Sequence, residues 1–292
     1  MLSRSVSSVQ WIILTIFAGV ILNAQATESV ARSTSEPLVA ATPKVIGGKP
    51  AIQSNTTWQV ALVNRAMPNI NGLICGGTLI GREWVLTAAH CFYDPKTCFR
   101  TIRRIHFHVV HGSISLREPM NFVDADDIIF APDWNCSSRE GDLALVKLQQ
   151  PVATMRMQLA STSDTLNRLQ PGALAFVTGW GLTEGGSASI ALMEAEVPIV
   201  SLSICKAAYG DTLSSKTICA GDVVQDSCIG DSGGPLFVRH ADGKSTQFGV
   251  VGFGRGCAEK GFPGVYTRIA DYLDWIKTTT ACTAADVRDG FC

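Results

Sequence analysis

Apolar residues along the chain fall in short runs and alternations: WQVALV (58–63), GTLIG (77–81), EWVLTAA (83–89), FHVVHG (107–112), DLALVKL (142–148), LAFVTGW (174–180), PLFVR (235–239) and FGVVGF (248–253). Gly, Pro, Asn and Asp punctuate them, which is the pattern of an all-β sandwich or barrel. Only DYLDWIKT (271–278), with Tyr272, Leu273, Trp275 and Ile276 apolar, has the spacing of a helix, and it lies near the end of the chain.

Two segments before these runs read differently. Arg4 precedes the apolar run WIILTIFAGVIL (11–22), which is followed by the small-x-small site Ala24-Gln25-Ala26, so residues 1–26 are expected to be a secretory signal peptide. The rival reading, a membrane anchor, needs about 20 apolar residues, and this run has 12. Residues 27–44, TESVARSTSEPLVAATPK, lack aromatics and periodicity and read as a flexible pro-segment.

Composition then narrows the classes. At 292 residues, 46% hydrophobic and 17% charged, the chain can bury a real core. A net charge of −1, with no basic run longer than Arg103-Arg104, excludes nucleic acid as a partner. Ten cysteines in a secreted chain read as disulfides, and the absence of any CxxC pair argues against a zinc knuckle or a redox dithiol.

The candidate chemistry lies in DSCIGDSGGP (226–235), too rich in Gly, Pro and short polar residues for a helix or a central strand. Nucleophilic catalysis by a serine needs a base to take its proton, a carboxylate to orient the base, and donors for the oxyanion. Ser232 in this stretch, His90 in TAAHC and Asp142 at the head of DLALVKL supply the three types, in one of the known chain orders.

LTAAHC, GDLAL, GWG, CAGD, DSCIGDSGGP and PGVYTRI, in this order and spacing, resemble the chymotrypsin-family serine endopeptidases, most closely the trypsin-like branch, from Val45 to about Lys277. The resemblance implies an all-β fold of two antiparallel six-stranded barrels, about 45–155 and 156–277, with the active site in the cleft between them and a short C-terminal helix. A Cys-containing tail, 278–292, completes a protease domain of 45–292. By the family's template Ser232 attacks the peptide carbonyl, His90 is general base and then acid, and Asp142 holds the imidazole tautomer. Gly230 and Ser232 N–H groups would form the oxyanion hole. Asp226 matches the base of the primary pocket, with Gly254 and Gly264 as its walls, which favours Arg or Lys in the substrate. Lys44-Val45 resembles an activation junction, at which cleavage frees a Val45 ammonium to pair with Asp231.

The resemblance further implies a zymogen activated by another protease, protein or peptide substrates, protein protease inhibitors as partners, no cofactor, no membrane contact after signal removal, and a monomer outside the cell. Its disulfides are Cys75–Cys91, Cys205–Cys219 and Cys228–Cys257. Cys98 with Cys136 is the favoured extra pair, because both loops border one end of the cleft. Cys282 and Cys292 then close a terminal loop, the rival being a bond from the tail to a partner or to Cys98 or Cys136.

Departures from the family are local. Ala175 and Val238 occupy the two positions of a common disulfide. Gly252 stands where a Ser usually supports the triad carboxylate, and Phe253 where a Trp is usual. Arg139 is expected to face the neighbouring subsite and to disfavour basic residues beside the cleaved bond. Ser113 and Met120 stand nearest the family's calcium-loop acids, so no metal is expected. His106 and His108 alternate on one strand face with His111 just beyond, and an exposed face is expected there rather than a metal site, since no third ligand is fixed by spacing. Asn55 and Asn135 open glycosylation sequons. The alternatives are a protease of chymotrypsin- or elastase-like specificity and a catalytically silent binding homologue. The latter's usual mark, a replaced His, Asp or Ser, is missing.

Overall fold

The fold is that of a computed structural model describing residues 48–281, apart from 118, 154–155, 183–186, 211–212, 223–225, 227–230 and 257. In chain order, β1 (Lys49–Pro50) is followed by β2 (Gln59–Asn64), β3 (Leu73–Leu79), β4 (Trp84–Thr87), β5 (Phe107–His111), β6 (Asn121–Phe130) and β7 (Ala144–Leu148). Strands β2 to β7 close in the order β2-β3-β4-β7-β6-β5, and every pairing is antiparallel. Closure leaves no strand edge to solvent. The run in β2 is continuously apolar because both its faces are covered. Val60 and Leu62 enter the first barrel's core, whereas Ala61 and Val63 join Val110, Leu116, Met120, Trp180 and Leu192 in a second cluster.

The second half contributes β8 (Gln158–Leu159), β9 (Leu174–Gly179), β10 (Met193–Val200), β11 (Thr217–Ala220), β12 (Pro235–Arg239), β13 (Ser245–Phe253) and β14 (Gly264–Arg268). The path β10-β11-β14-β13-β12-β9 is closed by the β9–β10 pairing into a second six-stranded antiparallel barrel, with β1 added to β10 and β8 lying parallel to β13. Its core holds Val177, Ala195, Val197, Leu236, Phe248 and Tyr266. Ala175 and Val238 lie one step beyond the Phe176–Phe237 pairing on adjacent β9 and β12, where they pack as apolar residues.

Three helices are present among the described residues, where the apolar spacing indicated one: α1 (Thr162–Arg168), α2 (Leu202–Tyr209) and α3 (Leu273–Thr280). The first two are held by their caps. Ser161 accepts from the Asp164 N–H while the Asp164 carboxylate accepts from Ser161, and the Ser201 hydroxyl accepts from Ile204 N–H. Helix α3 follows a tight turn, Ile269–Tyr272, and buries Ile276 with Ile269 and Tyr272 in the first barrel's core. It thereby straps the end of the second barrel onto the first.

Disulfides join Cys75 to Cys91, Cys98 to Cys136 and Cys205 to Cys219. Cys228, Cys257, Cys282 and Cys292 lie outside the described residues.

Candidate active site

His90 sits in a turn, Ala89–Phe92, directly after β4, and Asp142 lies two residues before β7, the strand paired with β4. The pairing therefore delivers both side chains to the same end of the first barrel. Asp142 Oδ1 accepts the His90 backbone N–H at 2.8 Å, and Oδ2 lies 2.7 Å from His90 Nδ1. The Asp142 side chain is 1% exposed and that of His90 16%. A buried carboxylate bound at both oxygens by one residue fixes ring position and tautomer together: Nδ1 carries the proton, and Nε2 is the basic nitrogen. The Cys75–Cys91 bond ties the residue after His90 to β3.

Ser232 comes from the second barrel, in the turn before β12, and its backbone is docked on the first barrel. Gly76 N–H donates to the Ser232 carbonyl at 2.8 Å. The next residue, Gly233, has φ +79°, and a Cβ there would overlap Thr87 Oγ1 and sit 3.2 Å from the Ala88 nitrogen. The serine turn is thus pressed onto the segment that carries His90, an approach open only to glycine. Asp231 is buried between Gly179 and Gly181 and accepts the Gly181 N–H at 2.9 Å. Its expected partner Val45, together with Lys44 and the oxyanion candidate Gly230, lies outside the described residues.

The three pocket candidates converge. Asp226 is 3% exposed, and its Oδ2 accepts the Ala258 N–H at 3.0 Å. A Cβ on Gly264 would lie 2.9 Å from Asp226 Oδ1, and one on Gly254 4.0 Å from Gly264 Cα. A side chain at Gly264 would therefore press on the carboxylate, whereas one at Gly254 would stand against Gly264. Sequence reasoning missed Tyr209. Its hydroxyl accepts from Arg255 N–H at 3.2 Å and donates to the Pro263 carbonyl at 2.9 Å, clamping the segments that bear the two glycines. Burial, reinforced by the Asp226 and Glu259 charges, pushes the Tyr209 phenol up, so it stays a donor.

Two expectations change. Arg139 has Asp142 as a neighbour, with Nη1 4.0 Å from Oδ2, in addition to any substrate. His108 and His111 are half-buried, not on an open face: His108 Nδ1 lies 2.7 Å from Asp124 Oδ1, and burial pushes the His111 imidazole down. His108 and His111, three residues apart on β5, point to opposite faces, and Asp124 and Phe122 of the paired β6 flank the His108 ring. His106 remains exposed. The one metal-type donor cluster among the described residues, Cys75, His90 and Cys91, has both sulfurs in a disulfide.

Two closed β-barrels, an imidazole–carboxylate pair on one and a glycine-rich serine turn from the other define a double-barrel serine hydrolase. The profile of the family described as Trypsin matches residues 45–276, and the chain belongs to the trypsin family of serine proteases. It is 34% identical to Cationic trypsin-3 of Rattus norvegicus over 242 residues, 82% of this chain and 90% of that protein. It is 33% identical to Trypsin of Sus scrofa over 243 residues, 82% of this chain and 96% of that one. Transmembrane protease serine 11G of Mus musculus is 33% identical over 245 residues, 82% of this chain but 56% of the mouse protein's length. Among the described residues no helix is long and apolar enough to cross a membrane.

Proposed function

We infer that the chain is a secreted endopeptidase made as a zymogen, which hydrolyses peptide bonds after Arg or Lys through His90, Asp142 and Ser232. The observation that carries the reading is the buried Asp142 bound at both oxygens by His90, with the Ser232 turn pressed onto the same segment. Ser232 Oγ attacks the carbonyl carbon while His90 Nε2 takes its proton. The imidazolium then protonates the leaving amine, and water, deprotonated by His90, hydrolyses the acyl-enzyme. Those roles are the general template of the family, applied to this chain's residues.

Specificity for a cationic side chain is supported by a buried carboxylate, Asp226, faced by Gly264, with Gly254 next to Gly264. Residues 1–26 act as the signal and 27–44 as the pro-segment. Cleavage after Lys44 by an activating protease releases the Val45 ammonium for Asp231, and the product acts as a monomer on protein substrates and is open to protein inhibitors.

The test is to cleave the chain after Lys44 and profile it on a peptide library beside Ser232→Ala. Expected are cuts after Arg and Lys, abolished by Ser232→Ala, and stoichiometric labelling of Ser232 by an organophosphate. A folded, processed protein that cuts nothing and stays unlabelled refutes the reading. Cuts after aromatic or small residues refute the pocket assignment alone.

A further inference from the structure

We propose that Arg139 is a positioning residue for the His90–Asp142 pair, holding the Asp142 carboxylate on the side where Gly252 offers no side chain. The proposal rests on the hydrolytic reading above. Among the described residues the Asp142 carboxylate accepts two hydrogen bonds, both from His90, whereas an ionised carboxylate has room for about four. On the remaining side of Oδ2 stands Gly252, where a Cβ would lie 3.6 Å away, near enough for a hydroxyl on it to reach the oxygen. Nothing projects from that position, and Arg139 Nη1 stands 4.0 Å from the same Oδ2. The side chain is 24% exposed, and Nη1 itself is buried without a hydrogen-bond acceptor among the described residues.

The guanidinium is held there at a conformational cost. Arg139 has φ +59°, a left-handed conformation that L side chains rarely adopt. Such an outlier persists only where its surroundings over-determine it. Here Arg139 N–H donates to the Asn135 carbonyl at 2.8 Å, Asn135 pairs with Glu140, and the Asn135 side chain accepts the Ser137 and Ser138 N–H groups. Cys136 is tied to Cys98. Neighbouring charges are matched elsewhere, since Lys216 lies 2.5 Å from Asp133 and 4.0 Å from Glu140. A separation of 4.0 Å exceeds a direct hydrogen bond, so the coupling is through charge. The cation steadies the ionised carboxylate without competing for the lone pair that His90 Nδ1–H uses.

The experiment compares the processed chain with Arg139→Gly, Arg139→Lys and Gly252→Ser, singly and with Gly252→Ser added to Arg139→Gly. Glycine suits φ +59°, so Arg139→Gly removes the charge while relieving the backbone. If it nevertheless melts well below wild type, Arg139→Lys and Gly252→Ser carry the comparison. Two amide substrates are used that differ only in the residue before the cleaved Arg, one Pro and one Lys. Loss of Arg139 is expected to lower kcat about tenfold on both with KM little changed, the scale of one charge-assisted contact. Arg139→Lys recovers most of this, and Gly252→Ser recovers more in Arg139→Gly than it adds to wild type. A change confined to KM for the Lys substrate, or a purely additive pair, overturns the proposal in favour of a substrate-facing role. If the wild type cleaves neither substrate, the hydrolytic reading has failed, and the low-field proton NMR signal of His90 Nδ1–H decides the coupling by itself. That signal moves in Arg139→Gly and returns in Arg139→Lys, or the positioning role is wrong.

Discussion

Replacing Gly233 by Ala tests whether the serine turn is held by close approach to the first barrel. Two costs separate cleanly. A Cβ at φ +79° carries the left-handed penalty of about 1–2 kcal/mol. The same Cβ overlaps Thr87 Oγ1 and lies 2.5 Å from the Gly76 carbonyl oxygen, and forcing such a group into a packed site adds about 1–3 kcal/mol. The sum, about 2–5 kcal/mol, is a large fraction of the stability of an ordinary domain. Gly172 is the control: it has φ +86° and nothing within 4 Å of where a Cβ would stand, so Gly172→Ala carries the backbone penalty alone. Equilibrium unfolding in guanidinium chloride, followed by tryptophan fluorescence, should give equal m-values and a lower midpoint for Gly233→Ala than for Gly172→Ala. Adding Thr87→Ala relieves the hydroxyl overlap but leaves the backbone oxygen in place, so rescue is at most partial. Activity should fall further than stability in Gly233→Ala, because the displaced residue adjoins Ser232. Equal midpoints for the two alanine variants would refute the reasoning.

Asp226→Ser removes a buried carboxylate, and kcat/KM for Arg substrates should fall by about 3–5 kcal/mol of transition-state stabilisation, with little effect on substrates lacking a cation; undiminished Arg preference in a substrate profile counts against the pocket. Replacing Cys98 and Cys136 by serines frees a link across a 38-residue separation and should lower stability by about 2–4 kcal/mol, read as a midpoint shift, and an unmoved midpoint rejects it. Burial alone would push the Asp124 carboxyl up, but hydrogen bonds and charge from His108 and Arg65 outweigh it and leave it below 3.8. A lowered folded value means stability that is present above the unfolded value and lost as pH falls through the folded one. Asp124→Asn should therefore lower the melting temperature at pH 7 and converge with wild type below 3.8, and a constant difference across that range rejects the assignment.

Legibility in the sequence followed the range over which each feature is determined. β2, β5, β7 and β12 are apolar runs whose partners merely need apolar faces, so their patterns identify them. β6, NFVDADDIIF, was missed because Asp124, Asp126 and Asp127 mask it; two of these charges are met by residues from elsewhere, Arg65 and His108 for Asp124 and Lys147 for Asp126. β10 is hidden likewise by Glu194, a buried acid bonded by Arg239 of β12. The short α1 and α2 have caps but no long apolar stripe. His90, Asp142 and Ser232 stood out because each sits in a short motif with a backbone requirement of its own. Tyr209 did not, since its partners Arg255 and Pro263 lie 46 and 54 residues away. Nor did the direction of Arg139, which depends on one left-handed residue in a loop closed by a disulfide.

His90 and Ser232 stand on different barrels, so their separation is only as well defined as the seam between the barrels. Apolar contact fixes how close two surfaces lie but leaves sliding cheap, whereas hydrogen bonds also fix register. The seam is polar where the site needs register. Gly76 of β3 donates to Ser232, Thr178 of β9 donates to Gln59 of β2 at 2.8 Å, and Thr267 of β14 donates to the Asp142 carbonyl at 3.3 Å. Gln59 and Thr178 are buried, so breaking their bond leaves polar groups unsatisfied at about 1–3 kcal/mol each, and sliding by even one residue breaks it. The apolar clusters and the α3 strap supply adhesion away from the site. Substitutions in those clusters should therefore register mainly as stability, and substitutions at Gly76, Gln59 or Thr178 as loss of activity in a protein that still folds.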